Sequence, residues 1–163
     1  MKPATQKYVI VKFLEPIADG SEFDAKHWPL HVTLASNFVI DRKAVRLFEE
    51  LTELATSEKP VTTAASEDDY FGPEKQVHVT TLTMTPELQS LHSRIIALLK
   101  SLGAIFDEPQ YQETGYRAHT TVQAEKRLHK GETVVVDELT VVDMLPHNDI
   151  SRRKTMKTIK LSQ

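Results

Sequence analysis

Cysteine is absent from this 163-residue chain. That excludes disulfides, a thiol nucleophile and a cysteine-based zinc site. Glycine is scarce, with five residues scattered along the sequence. No Gly-rich loop is therefore available to wrap a nucleotide's phosphates, and no G-x-S-x-G marks a serine hydrolase. No H-E-x-x-H occurs, and although His27 and His31 stand four apart, Pro29 between them spoils a helical metal pair. No apolar run is long enough to span a bilayer. The start, MKPATQKYVIVKFLEP, lacks a signal-peptide layout, so a cytoplasmic location is the expectation. Positive charge is not in excess either: 20 Lys and Arg face 23 Asp and Glu, for a net charge of −3. That argues against a non-specific polyanion binder, and leaves open a small nucleotide or a single RNA end.

What is present is an ordinary globular composition, 40% hydrophobic and 26% charged, read as one domain over residues 1–163. KYVIVKFL (7–14) is short and β-branched, the pattern of a buried strand, and LHVTLAS (30–36) is a second. The stretch between them, EPIADGSEFDAKHWP, reads as a loop. DRKAVRLFEELTELA has apolar residues at helical spacing behind a candidate N-cap, Asp41, and Pro60 closes that helix. VTTAASEDDYF and QVHVTTLTM flank Gly72-Pro73 as a hairpin. Thr85-Pro86 opens a second helix with Leu88, Leu91, Ile95, Leu98, Leu99 and Leu102 on its apolar face and Gly103 at its end. RAHTTVQ is a further strand, and the tail supplies two more, ETVVVDELTVVDML and KTMKTIKLS. The order β-β-α, β-β-α, then three strands indicates an α+β fold with two helices outside antiparallel sheets, and hints at a duplication.

Two stretches carry chemistry. PLHVTL and RAHTTV both place a histidine, one residue, a threonine and then an apolar residue. Alternate residues of a strand share a face, so His31 and Thr33 point together, as do His119 and Thr121. An imidazole titrates near neutrality, and a hydroxyl donates to an anionic oxygen. Roughly one His-x-Ser/Thr match is expected by accident; three occur, at His31, His78 and His119. Requiring an apolar residue next removes His78. A pure repeat argument would instead pair His31 with His78, since each precedes a helix, and spacing alone does not break that tie.

The two motifs resemble the paired H-x-[ST]-apolar signatures of the two-histidine (2H) phosphoesterase superfamily, which includes 2′-5′ RNA ligase-like proteins and cyclic phosphodiesterases. TPELQSLHSRIIALLKSLG is similar to the family's amphipathic helix between the motifs, including its Leu-His step. That order places the second motif at His119. Three departures bear on substrate identity: Ala118 stands where Pro is frequent, Lys126 and Arg127 follow the second motif only after Gln123, Ala124 and Glu125, and the last strands lack an aromatic.

The resemblance implies a two-lobed, duplicated fold whose antiparallel sheets face a central cleft, with His31 from one lobe and His119 from the other. It implies a phosphodiesterase needing no metal or cofactor, opening 2′,3′-cyclic or 2′-5′ phosphodiesters of RNA ends or nucleotides, with reverse 2′-5′ ligation at the same site. His31 and His119 would act as general acid and base with a bell-shaped pH–rate curve centred near the histidine pKa, and Thr33 and Thr121 would hold the phosphoryl oxygens. Arg117 shares face parity with His119 and is a candidate phosphate contact; Tyr116, Phe38 and Tyr70 are candidates to stack on a base. Trp28 is expected to pack its loop, His78 to be a satisfied sheet residue, and His92 to pack on its helix. The basic strand with Arg152, Arg153, Lys154, Lys157 and Lys160 reads either as a solvated face or as a track for an RNA backbone. The alternative function is a non-catalytic nucleotide or RNA binder on the same fold.

Overall fold

The structure, a computed structural model, describes residues 6–41 and 43–162. Residues 1–5 of the N-terminal reading, and Arg42 ahead of the first helix, lie outside the described residues. The strands are β1 (Lys7–Phe13), β2 (Glu22–Asp24), β3 (His31–Val39), β4 (Val61–Phe71), β5 (Val77–Leu82), β6 (Ile105–Phe106), β7 (His119–Thr121), β8 (Thr133–Val136), β9 (Glu138–Asp143) and β10 (Arg152–Lys160). Helix α1 (Ala44–Ala55) follows β3, and α2 (Pro86–Ser101) follows β5. Two antiparallel sheets result, one ordered β2-β10-β9-β1-β3-β6 and the other β7-β5-β4-β8.

Apolar alternation explains the layering. In β1, Tyr8 and Ile10 join the large core under the helices, whereas Val9, Val11 and Phe13 join a smaller cluster on the opposite face. Both faces of this strand are covered, so it reads in sequence as a continuous apolar run. Helix α1 buries Leu47, Leu51 and Ala55, and α2 buries Leu88, Leu91, His92, Ile95, Ile96 and Leu99. One core cluster includes Val32 and Leu34 of β3 beside Ala65 of β4 and Leu82 of β5, so it is shared by both sheets.

Helix α2 starts as expected: the Thr85 side chain accepts from the Leu88 amide at 3.1 Å, with Pro86 in the first turn. Gly103 follows its C-cap at φ +82°, a left-handed conformation that closes the helix without a Cβ clash. Helix α1 differs from the expectation. Its N-cap is Lys43, with no side-chain cap, and the helix begins at Ala44, so Asp41 is not the cap.

Three further corrections concern strands. The loop read between the first two strands contains β2, whose three residues pair with Arg152–Lys154 of β10. Ile105–Phe106 pairs with the end of β3 as β6. ETVVVDELTVVDML is two strands in different sheets: β8 pairs with β4, β9 pairs with β1 and β10, and Asp137 alone separates them. Asp137 accepts from the Lys12 ammonium at 2.6 Å, which holds its carboxyl below the usual aspartate range.

Candidate active site

His31 opens β3 and His119 opens β7, so each imidazole stands where a strand emerges from its loop, one in each sheet. Register fixes their faces. His31 lies opposite Phe13 and Thr33 opposite Val11, and directly opposed residues share a face of the sheet. His119 lies opposite Thr81 and Thr121 opposite Val79. Behind each pair the intervening residue is fully buried, Val32 in one case and Thr120 in the other. Cα atoms of β3 and β7 come within 8 Å of each other. The strands that carry the two motifs are therefore neighbours, one from each sheet, whereas His78 is engaged elsewhere. It hydrogen-bonds Asp68 at 2.8 Å and stacks on Tyr70 with centroids 4.7 Å apart. Tyr70, its cross-strand partner, and Asp68 alternate along β4 with Asp69 and Phe71, which share the face of His119.

The two imidazoles are held alike. His31 Nδ1 lies 2.9 Å from the Pro29 carbonyl, and His119 Nδ1 lies 2.8 Å from the Arg117 carbonyl, each two residues back. A carbonyl only accepts, so Nδ1 carries the hydrogen and Nε2 of the neutral ring keeps its lone pair. Each ring also has an aromatic neighbour: Trp28 at 4.6 Å from His31, and Phe71 at 4.7 Å, edge to face, from His119. Burial pushes both pKa values below the ordinary 6.5, against the raising effect of the carbonyl bond. Positive charge on His119 depresses His31 further, and Arg117 does the same to His119.

Arg117 lies at the edge of the site with its charge engaged: Nη2 donates to Asp69 at 2.8 Å, and the guanidinium sits 4.7 Å above the Phe71 ring. Phe38 and Tyr116 depart from expectation. Phe38 is fully buried between Tyr8 and Phe106. Tyr116 is 8% exposed, and burial raises its phenol pKa. Neither presents a ring face to a ligand, because both complete the core. Tyr70, 52% exposed, keeps an open position. The expected loop-packing role of Trp28 is incomplete, since its ring also flanks His31.

Two positioning devices were not visible in the motifs. Between Ile10–Ala35 and Val11–Thr33 the β1–β3 ladder skips Leu34, a bulge directly beside the first motif threonine. The carbonyls at this point bond outside the sheet. The Tyr116 hydroxyl donates to the Thr33 carbonyl at 2.8 Å, and His92 Nδ1 donates to the Leu34 carbonyl at 2.7 Å. His92 Nε2 in turn accepts from the Glu113 amide at 2.8 Å, which fixes a neutral tautomer. The loop reaches this position through Gly115, where an added Cβ would meet the Gln110 carbonyl oxygen at 1.9 Å. The second device is a strap after the second motif. Gln123 Nε2 donates to the Trp28 carbonyl at 3.0 Å, and Lys126 pairs with Glu15 at 3.2 Å. Glu15 also accepts from the Leu30 amide. Arg127 bonds Asp68 at 2.6 Å.

The sequence pattern of the 2′-5′ RNA ligase superfamily matches residues 10–141 of this chain. No curated protein matches it. Solved structures do. E. coli LigT complexed with 3′-AMP aligns with a TM-score of 0.61 at 14% identity, over 98% of this chain and 100% of that one. A structure described as a phosphoesterase gives 0.57 at 15% identity, over 98% and 100%. The protein TT0787 of Thermus thermophilus gives 0.55 at 16% identity, over 95% and 97%. At these identities the likeness is one of fold.

Proposed function

Because this chain belongs to the 2′-5′ RNA ligase superfamily, we propose that it is a phosphodiesterase opening 2′,3′-cyclic or 2′-5′ phosphodiesters of RNA ends or nucleotides, working in the cytoplasm as a single domain. One observation carries the reading: two imidazoles on opposite lobes, each with Nδ1 tied to its own backbone and Nε2 left for proton transfer. Nucleotide complexes of the structurally similar LigT, with 3′-AMP, NADP+ and ATP, support a ligand of this class.

On a 2′,3′-cyclic phosphate the reaction is an in-line displacement at phosphorus. Water adds to phosphorus while one neutral imidazole takes its proton at Nε2. The bond from phosphorus to the 3′ oxygen breaks, and the other imidazole, protonated, delivers its Nε2 proton to that oxygen. The product is a 2′-phosphate with a free 3′-hydroxyl. Both Nδ1–carbonyl bonds persist, so each ring keeps its aim through the cycle. The Thr33 and Thr121 hydroxyls hold the non-bridging oxygens and stabilise the charge that builds there. Arg117 is the cation beside His119. A 5′-hydroxyl in place of water makes the same displacement, losing its proton to the neutral imidazole and leaving a 2′-5′ linkage with a free 3′-hydroxyl; this ligation is the reverse of opening a 2′-5′ phosphodiester to the cyclic phosphate. No step calls for a metal or cofactor.

The test is incubation with 2′,3′-cyclic mononucleotides and a short RNA bearing a cyclic end, in EDTA. Wild type opens the ring, whereas His31→Ala and His119→Ala each lose about 10²–10⁴-fold in kcat. Tight binding without turnover, unchanged in His31→Ala, would establish a non-catalytic binder instead.

A further inference from the structure

Arg153 stands apart from most of its kind. Arg46, Arg94, Arg117 and Arg127 each pair with a carboxylate. Arg153 instead spends Nη1 on three neutral carbonyls, those of Met144, Ile150 and Arg152, at 3.0, 2.8 and 2.9 Å. Its Nε is buried without a partner, and no carboxylate among the described residues pairs with it. Carbonyl bonds orient a guanidinium but leave its net charge uncompensated. A buried N–H donor without an acceptor has given up its bond to water and gained none in return, so the arrangement is unfavourable for the protein alone. Burial lowers the pKa of the group, as expected of a cation partly removed from water.

Its place gives that charge a use. Arg153 lies opposite Phe23 in the β10–β2 ladder, and the Phe23 ring sits 5.0 Å from Trp28. The Arg153 guanidinium carbon is 6.0 Å from the Trp28 ring centre, and the Trp28 ring is 4.6 Å from His31. A line therefore runs from the imidazole through one indole to a fixed cation. Strand alternation turns Arg152 and Lys154 to the opposite face. After the irregularity between Thr155 and Lys157, Lys157 also faces away, and Lys160 returns to the Arg153 face only at the far end of the strand, opposite Glu138. The basic strand is thus no continuous track.

We propose that Arg153, walled by Trp28, is a subsite for a second phosphate of the substrate, one indole beyond the group held between His31 and His119. This deepens the proposed function and rests on it. With Nη1 committed to carbonyls and Nε buried, Nη2 is the donor left for a phosphate oxygen, on a group that stays charged at every relevant pH. The second phosphate is either a 5′-phosphate on the nucleotide that carries the cyclic group or the next internucleotide phosphate of an RNA chain.

Three substrates separate these sources: a 2′,3′-cyclic nucleoside monophosphate, the same compound with a 5′-phosphate, and a dinucleotide with a cyclic end and a free 5′-hydroxyl. Wild type should favour one or both phosphate-bearing substrates over the first by about 10–100-fold in kcat/KM. The ratio should fall to near one in Arg153→Gln and stay partly above it in Arg153→Lys, whatever happens to the absolute rates. If Arg153 only pins the β9–β10 connection, its loss lowers all three rates by the same factor and the ratio persists, which overturns the proposal; so does a wild-type ratio near one. Calorimetry with a nucleoside 2′-phosphate and a 2′,5′-bisphosphate, on wild type and Arg153→Gln, reads the subsite without turnover. Absence of turnover in wild type would remove the phosphodiesterase reading, while the difference between the two ligands would still decide the subsite.

Discussion

The rings of His92 and Tyr116 lie face to face, centroids 3.8 Å apart and 4° from parallel. Through them the approach to the second motif holds the first: Tyr116 bonds the Thr33 carbonyl, and His92 bonds the Leu34 carbonyl and the Glu113 amide. Tyr116→Phe removes one hydrogen bond and should cost about 0.5–1.5 kcal/mol of stability. His92→Leu leaves the buried Leu34 carbonyl without this partner and frees the Glu113 amide, and should cost about 1–3 kcal/mol. In Tyr116→Phe the fold survives, so kinetics isolate positioning: kcat should fall, by up to about 10²-fold, with KM little changed. An unchanged kcat with only a lower Tm would assign the pair a packing role.

Acid–base catalysis by two histidines gives a bell-shaped rate profile, its limbs set by the base that must be neutral and the acid that must be charged. Burial depresses both pKa values, so the whole bell moves toward acid. The kcat/KM maximum is expected below pH 6.5, the ordinary histidine value. Arg117→Gln removes a cation that disfavours charge on His119, and should carry one limb to higher pH. A flat profile between pH 5 and 8 would contradict the mechanism.

Stability should depend on pH through the same physics. His31, His92 and His119 all have folded pKa values lowered by burial. The unfolded chain takes up these protons near pH 6.5, the folded chain only at lower pH. Between those points the unfolded state binds more protons, so stability climbs with pH. It is complete above pH 6.5 and is lost as pH falls toward the folded values. Urea denaturation from pH 7 down to 4.5 should show this slope, and His92→Gln, which cannot titrate there, should flatten it relative to wild type. Equal slopes in the two proteins would mean that His92 is not held neutral.

Much of this was legible in the chain. Periodicity located both helices, each with one clear apolar face, while β1 was legible as a continuous apolar run because both its faces are covered. The paired His-x-Thr motifs pointed to two strands, β3 and β7, that the fold sets side by side. Aromatic roles were not legible: Phe38 and Tyr116 look like ligand platforms in sequence, yet both fill the core, and only tertiary packing distinguishes the two fates. The run TVVVDELTVVD hides its break because Asp137 sits between two apolar strands with no turn residue to mark it. The bulge at Leu34 and the partners of His92 lie far apart in sequence and leave no local signal. Arg153 looks like one residue of a basic tail until strand alternation separates it from its neighbours.

The single-residue passage at Asp137 bears on how this protein can be cut and rejoined. The sheet bearing His31 is finished only by β9 and β10, which arrive after every strand of the other sheet has been laid down. The lobes are therefore not interchangeable cassettes. A fragment ending before residue 61 would carry the first motif on an unfinished sheet, and a foreign second half spliced there would have to bring both closing strands with it.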